Sequence, residues 1–403
     1  MTYNFRLFLR LTYRAFFNNE NTYGRLTWKR FKALAIWYSI IPALNVYTHL
    51  CFWLDDILFP AYKDQAVEDP VFIIGNFRSG STMLQRLMSE DSENFTAMKT
   101  YEIYTAPSIT QRYVYKYGRR VDAVLFGGWL LKQVNKWNER RMQSIPMHPL
   151  DVWQVDEDEG LLFHNWSSTF LMFVFPFLDD LPRYYRFDTD VPEAERRQIM
   201  QFYKSCVQRH VYFHGGKRYI AKNPSFSVKV ESLREYFPDA QFIYLARNPM
   251  DQVPSETSFL SFIWHYFNDP DEKYPFREFV YEMIGHWYRY PLNRLEGFPI
   301  GQRIILRYDD LVNNLGDTVR NIYSRFGLHI SPGFHERIEA AEERSRGYTS
   351  SHSYSLEDMG YEEATTYSDF QDIFERFEFD SRSSDDPDPT SSDESLHSPA
   401  TKE

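Results

Sequence analysis

Cysteine is nearly absent from this 403-residue chain; Cys51 and Cys206 are the only two. Two thiols build neither a disulfide framework nor a cysteine zinc cluster, which excludes the small stapled secreted folds and the zinc ribbons. Basic residues are also short, 45 Lys+Arg against 56 Asp+Glu, for a formal charge of −11. Such a chain lacks the positive footprint with which nucleic-acid binders cover phosphate backbones, so no nucleic-acid partner is expected. A small local anion site stays open. No collagen, coiled-coil or solenoid period is present. What the chain does hold is apolar and aromatic matter, 43% and 18% of its residues, enough for a large core. Length alone allows two or three domains.

The charge is uneven. Residues 1–32 carry seven Lys or Arg against Glu20 alone, and an uncharged run from Ala33 to Leu54 follows, closed by Asp55 and Asp56. That order resembles a signal-anchor with its positive side inward. Ser39, Pro42, Asn45, Thr48 and His49 interrupt the run, and each is costly in hydrocarbon. Three readings remain: an amphipathic helix pair packed on the body, a membrane surface met by residues 1–54, or a span over 33–54. A cytoplasmic chain is expected, with single-pass anchoring as the alternative. At the other end, residues 381–403 hold seven serines, three prolines and six acids. They offer almost nothing to bury, and disorder is expected there. The domain plan is therefore a basic, then apolar, helical arm at 1–60, an α/β domain at 61–380, and the acidic tail.

Val71–Gly75, Phe242–Ala246, Ile304–Leu306 and Tyr219–Ala221 read as short buried strands, and a further one lies near Phe95–Met98. Met83, Leu84, Leu87 and Met88 fall at helical spacing. Strands alternating with helices predict a central parallel sheet in a three-layer αβα fold of the P-loop type. Gly75-Asn-Phe-Arg78-Ser79-Gly80-Ser81-Thr82 follows the first strand and opens the first helix. It is nearly the phosphate loop of nucleotide-binding proteins, whose backbone N–H groups and helix N-terminus cradle anions. The lysine that reaches the β- and γ-phosphates of a triphosphate is missing, and Arg78 stands three residues before its place. No acid-tipped strand for magnesium is evident either. A kinase-like triphosphate site is thus disfavoured, and a metal-free donor with a phosphate beside a second anionic group fits better. A second anion site is predicted where strand 242–246 ends in Arg247, with Ser255 eight residues on.

Together these motifs resemble the sulfotransferase superfamily. Phe72 to Leu84 resembles its loop for the 5′-phosphosulfate of 3′-phosphoadenosine 5′-phosphosulfate (PAPS). Tyr244 to Ser255 resembles its 3′-phosphate motif, and Leu306-Arg-Tyr308-Asp-Asp-Leu311 a later strand whose Tyr lies by the adenosine. The resemblance implies PAPS as co-substrate, no metal, and donor contacts from Arg78, Ser79, Gly80, Ser81, Thr82, Arg247, Ser255 and Tyr308. It also implies that Lys222, leaving a strand before Pro224, works near the bridging oxygen of the leaving group. The acceptor it implies is a hydroxyl or amine on a small molecule, lipid or glycan. For the general base, the resemblance favours Glu102, 24 residues after Arg78, with His148 second. The acid run Asp156-Glu-Asp-Glu159 reads as a solvated face, with base orientation or cation binding as its other uses. His210 and His214, four apart, read as a helix end rather than metal ligands, because no third ligand is evident. The other class of function is a non-catalytic nucleotide-binding scaffold docked at a membrane surface.

Overall fold

The computed structural model describes residues 3–144, 151–345 and 355–380. His148 and the acidic tail 381–403 lie outside the described residues. Five strands, β1 (Val71–Gly75), β2 (Phe95–Thr96), β3 (Arg218–Lys222), β4 (Gln241–Ala246) and β5 (Arg303–Arg307), form one sheet in the order β2-β3-β1-β4-β5. Every pairing is parallel. β1 and β4 are buried at all positions, which is why they read as unbroken apolar runs. Successive side chains point to opposite faces. Phe72, Ile74 and Tyr244 enter one hydrophobic cluster, while Val71, Ile73, Ile243 and Leu245 enter another on the far side. Helices cover both clusters, so the architecture is the expected three-layer α/β fold.

The helix after β1, Ser81–Ser89, puts Leu84, Leu87 and Met88 into one cluster. The helix after β4, Pro249–Phe267, puts Val253 and Leu260 into the other. Neighbouring strands β1 and β4 thus send their helices to opposite faces, which opens a crevice at their carboxyl ends.

The first two helices are α1 (Phe5–Phe17) and α2 (Trp28–Leu58). The uncharged run falls wholly inside α2, which continues through Pro42. Its partner in the helix pair is the basic α1, and Thr12 and Tyr38 hydroxyls meet across the two at 2.8 Å. Several polar residues of α2 point inward, though Ser39 is exposed. Asn45 Nδ2 donates to Phe163 O (3.4 Å), Thr48 Oγ1 accepts from Gln111 Nε2 (3.1 Å), and Asp55 accepts from Arg209 Nε (2.9 Å). Leu34 and Phe52 join the core, while Ile36, Ile40, Val46, Leu50 and Trp53 are exposed. α2 is also long and apolar enough to cross a membrane by length and composition. The helix that follows β1 is α3 (Ser81–Ser89); beyond it come α4 (Thr100–Tyr104), α5 (Ile109–Phe126) and α6 (Trp129–Ser144).

Candidate active site

The loop from β1 to α3 is shaped by backbone that only small residues fill without strain. Gly75 pairs with Leu245 across β1 and β4. It has φ +143°, and a Cβ there would sit 2.5 Å from Leu245 O. Gly80 has φ +80°, and its Cβ would lie 2.9 Å from the Tyr308 ring. The chain therefore turns tightly at both ends of the loop. Between them Arg78 itself adopts φ +65°, a conformation rare outside glycine.

The crevice is a cavity of about 660 Å³. Arg78, Gly80, Ser81, Thr82, Lys222, Arg247, Ser255 and Tyr308 all line it. The sequence motifs at residues 75–82, 222, 247–255 and 308 thus converge on one place. Arg78 Nε donates to Ser255 Oγ at 3.5 Å, and Arg247 Nη1 donates to the same oxygen at 3.4 Å. Arg247 Nη1 also reaches Arg78 O (3.3 Å), and its guanidinium stands 4.9 Å from the Tyr308 ring centre. Among the described residues neither arginine has an ion-pair partner, and Arg247 Nε is buried without a hydrogen-bond partner. Two guanidiniums meeting on one hydroxyl, beside a helix N-terminus, make a site that attracts anions.

Lys222 emerges from β3 into the same cavity, and its Nζ donates to Glu157 Oε1 at 2.5 Å. Both residues are buried. Glu157 lies in the acid run that reads from sequence as a solvated face, and that reading is overturned. Glu157, Asp158 and Glu159 are all buried, each with internal partners. Asp158 accepts from the Tyr203 and Tyr219 hydroxyls (2.5 and 2.7 Å), and Glu159 accepts from Lys229 Nζ (2.5 Å). Burial pushes the Asp158 carboxyl up to about 6 against the lowering effect of those hydrogen bonds. The run forms a 3₁₀ turn, Asp158–Asn165, and the signal for its burial is the apolar Leu161-Leu-Phe163 that follows at once.

Two expected residues are elsewhere. Ser79 is fully buried, and its hydroxyl donates to Asn76 O (2.8 Å), closing the loop on itself rather than facing the cavity. Glu102, the favoured base, does not line the cavity. One carboxylate oxygen caps α4 by accepting from Lys99 N (2.9 Å), and the other meets His214 Nε2 (3.1 Å) with Arg112 Nε at 3.8 Å. Burial alone would raise its pKa, but Arg112 and His214 outweigh that and hold it well below the usual carboxylate range. A carboxylate so committed is a weak proton acceptor.

Glu102 also supplies the third group beside His210 and His214 that the sequence did not reveal. The cluster is a closed hydrogen-bond network. His210 Nδ1 meets Arg112 Nη1 at 2.9 Å and its Nε2 meets Thr96 Oγ1 at 2.8 Å, so both ring nitrogens are used and a cation already sits alongside. The helix Glu193–Phe213 ends there, with His214 at its C-cap.

Fold and site together define an α/β protein whose phosphate-type loop carries arginine in place of lysine, facing a buried Lys–Glu pair. The chain belongs to the sulfotransferase family, whose model matches residues 70–332. It is 24% identical over 306 residues, 73% of this chain and 71% of the other, to omega-hydroxy-beta-dihydromenaquinone-9 sulfotransferase Stf3 of Mycobacterium bovis, and equally to that of Mycobacterium tuberculosis. Among solved structures it resembles sulfotransferase STF9 from Mycobacterium avium (TM-score 0.66, 16% identity, covering 94% of this chain and 98% of that one). It also resembles STF1 from Mycobacterium tuberculosis (0.61, 16%, 91% and 92%). The chain is thus a sulfuryl-transfer enzyme rather than a scaffold.

Proposed function

We propose that the enzyme takes its sulfuryl group from PAPS and passes it to a hydroxyl on a largely apolar acceptor. The observation that carries the donor is the convergence of Arg78 and Arg247 on Ser255 Oγ, with no carboxylate paired to either among the described residues. Arg247 and Ser255 suit one phosphate. Arg78, the loop amides and the α3 N-terminus suit the phosphosulfate. Tyr308, against Gly80 and Arg247, suits the nucleoside beside them. Phe77, Met83, Leu87 and Phe259 in the cavity wall support an apolar acceptor, and the name of the mycobacterial relative describes a lipid-like alcohol.

In this reading Glu157 is the general base. Its Oε1 is held by Lys222, and no described residue bonds its Oε2. The acceptor oxygen gives its proton to Glu157 as its bond to sulfur forms and the bond from sulfur to the phosphate oxygen breaks. Lys222 has two further N–H donors with which to steady charge on that leaving oxygen, assisted by Arg78 and the loop amides. Binding of 3′-phosphoadenosine 5′-phosphate (PAP) without magnesium, together with PAPS-dependent PAP release against acceptor pools sorted by polarity, tests the reading. An absence of PAP binding would sink it.

The domain plan we propose is one α/β domain over residues 61–380, preceded by the arm 1–60. Residues 1–54 we place on a membrane surface, on a cytoplasmic enzyme, rather than through the bilayer. α2 is tied to the body from Arg30, whose Nη1 donates to Val174 O (3.2 Å), to Asp55. A helix bonded to a folded body along its length is poorly disposed to span hydrocarbon.

A further inference from the structure

Among the described residues, all but three of the exposed large apolar side chains lie on α1, α2, α5 and α6; the exceptions are Tyr266, Ile300 and Tyr367. A soluble surface rarely gathers its apolar groups this way. The hairpin of α5 and α6 is the unexpected part, because residues 109–144 carry no signal-anchor pattern. Its tip is apolar on all sides. Val124, Leu125, Phe126 and Trp129 are 82%, 68%, 57% and 56% exposed, and Gly127 and Gly128 turn the chain with positive φ and nothing around them.

In the turns nearest the tip the exposed charge is of one sign, and the hairpin's exposed acid, Glu139, stands farther along α6. Lys116, Arg119 and Arg120 stand on α5, with Lys132 and Lys136 on α6. The one acid of α5, Asp122, is buried and spent within the hairpin, accepting from Leu130 N and Leu131 N (3.0 Å each) to start α6. At 1.5 Å of rise per residue, Arg120 sits about 6–9 Å behind Val124–Phe126. That is the separation between the acyl boundary and the headgroup phosphates that an interfacial anchor spans. A basic collar behind an apolar, Trp-bearing tip, on a chain whose net charge is −11, is complementary to an anionic lipid surface.

We propose that the α5–α6 hairpin is a bilayer-docking element. It inserts its Val124–Trp129 tip below anionic headgroups and lies on the same lipid face as α1 and α2. The hairpin is also fastened to the active-site wall. Trp153 Nε1 donates to Asn135 Oδ1 of α6 (2.9 Å), and Arg119 of α5 stands 5.8 Å from the Trp153 ring centre. The next residue, Gln154, lines the cavity, as does Glu157. Docking would therefore hold that wall close to the membrane.

The test is co-sedimentation of the full chain with phosphatidylcholine vesicles, with and without phosphatidylglycerol, at low and high salt. The wild-type chain should pellet with the anionic vesicles and release in part at high salt. Leu125→Glu with Phe126→Glu should abolish pelleting. Lys116→Gln, Arg119→Gln and Arg120→Gln together should weaken it on the order of 100-fold, about fivefold per basic residue. Ile300→Glu, on an unrelated face, should leave it unchanged. Circular dichroism, denaturant midpoints and PAP binding keep a docking defect separate from a folding defect or a failed donor assignment. The proposal falls if the wild-type chain ignores anionic vesicles, or if both hairpin variants pellet like wild type. It falls equally if the chain is a lipid-free dimer that the tip variant splits, since a second copy then covers the face.

Discussion

Exchanging one buried glutamate or the other for glutamine asks which of them turnover needs, since each exchange also breaks a buried ion pair and lowers stability. In Glu157→Gln the side chain keeps its volume and an acceptor oxygen beside Lys222 Nζ, now 2.5 Å from Glu157 Oε1, but loses the basic carboxylate. Removing a general base costs about 10²–10⁴-fold in kcat, or roughly 3–5 kcal/mol of transition-state stabilisation. PAP affinity should persist if Arg78, Arg247 and the loop hold the donor as proposed. Glu102→Gln acts in the opposite place. Glu102 is buried with Arg112, and both side chains are almost fully excluded from water. Stripping the charge from one member of such a pair costs about 3–5 kcal/mol of stability, while kcat per folded molecule should hold. Urea midpoints, PAP titration and PAP release from PAPS read the three quantities on the same preparations. Wild-type turnover in Glu157→Gln would refute the reasoning. So would a Glu102→Gln protein of full stability and full PAP affinity that no longer turns over.

Arg78→Ala and Arg247→Ala should each weaken PAP binding by about 10–150-fold, the worth of a charge-assisted hydrogen bond of roughly 1.5–3 kcal/mol; isothermal titration measures it. Gly80→Ala should lose stability by about 1–2 kcal/mol for the left-handed backbone alone. It should also lose PAP affinity, because its Cβ would meet the Tyr308 ring at 2.9 Å; a crystal structure would show the ring displaced. Asp158 binds a proton more tightly folded than unfolded, its pKa standing at about 6 against 3.8. Its contribution is therefore fully present below about pH 4 and lost as pH rises through 6, on the order of 3 kcal/mol in all. Glu102 has the opposite sign, with stability present above its ordinary 4.5 and lost as pH falls below it. Denaturant midpoints between pH 4 and 7 should fall more steeply for wild type than for Asp158→Asn.

Backbone chemistry made the donor side legible. Gly75 and Gly80 announce a tight strand-to-helix turn, and parallel strands expose their carboxyl ends at the same edge. Arg78, Arg247 and Ser255 had to meet there once β1 and β4 were neighbours. The strands were legible for the same reason, since β1 and β4 are covered on both faces and tolerate nothing polar. The proposed acceptor side was not legible, because the residues assigned to it come from segments that carry no period. Glu157 sits in a run of acids whose composition argues for solvent, and only tertiary packing supplies Lys222, Tyr203, Tyr219 and Lys229 as partners. Glu102 has the sequence position of a base and the surroundings of a structural carboxylate, a difference that depends on Arg112 and His214 arriving from elsewhere. In α2 two of the polar residues that argue against a membrane, Asn45 and Thr48, bond inward, and many of the apolar ones, Ile36, Ile40, Val46 and Trp53 among them, lie outside.

A net charge of −11 makes the capture of a multiply charged anion look unfavourable until the charges are assigned to places. The acids in the cavity wall and close behind it are largely answered within the protein: Glu90 by Arg337 at 3.8 Å, Glu157 by Lys222, Glu159 by Lys229, and Asp158 by two tyrosine hydroxyls and a raised pKa. The cations of the loop and of β4 are not answered in this way, since neither Arg78 nor Arg247 meets a carboxylate among the described residues. Exposed acids farther off than about 10 Å are screened at ordinary ionic strength, whereas charges within a crevice are screened much less. The donor would then meet two guanidiniums, a helix N-terminus and a turn of amides at short range, and little of the acidic exterior. Selectivity follows from the same layout. The loop offers planar arginine forks where a triphosphate loop offers lysine and magnesium, so it suits two separated anionic groups better than one chain of three phosphates.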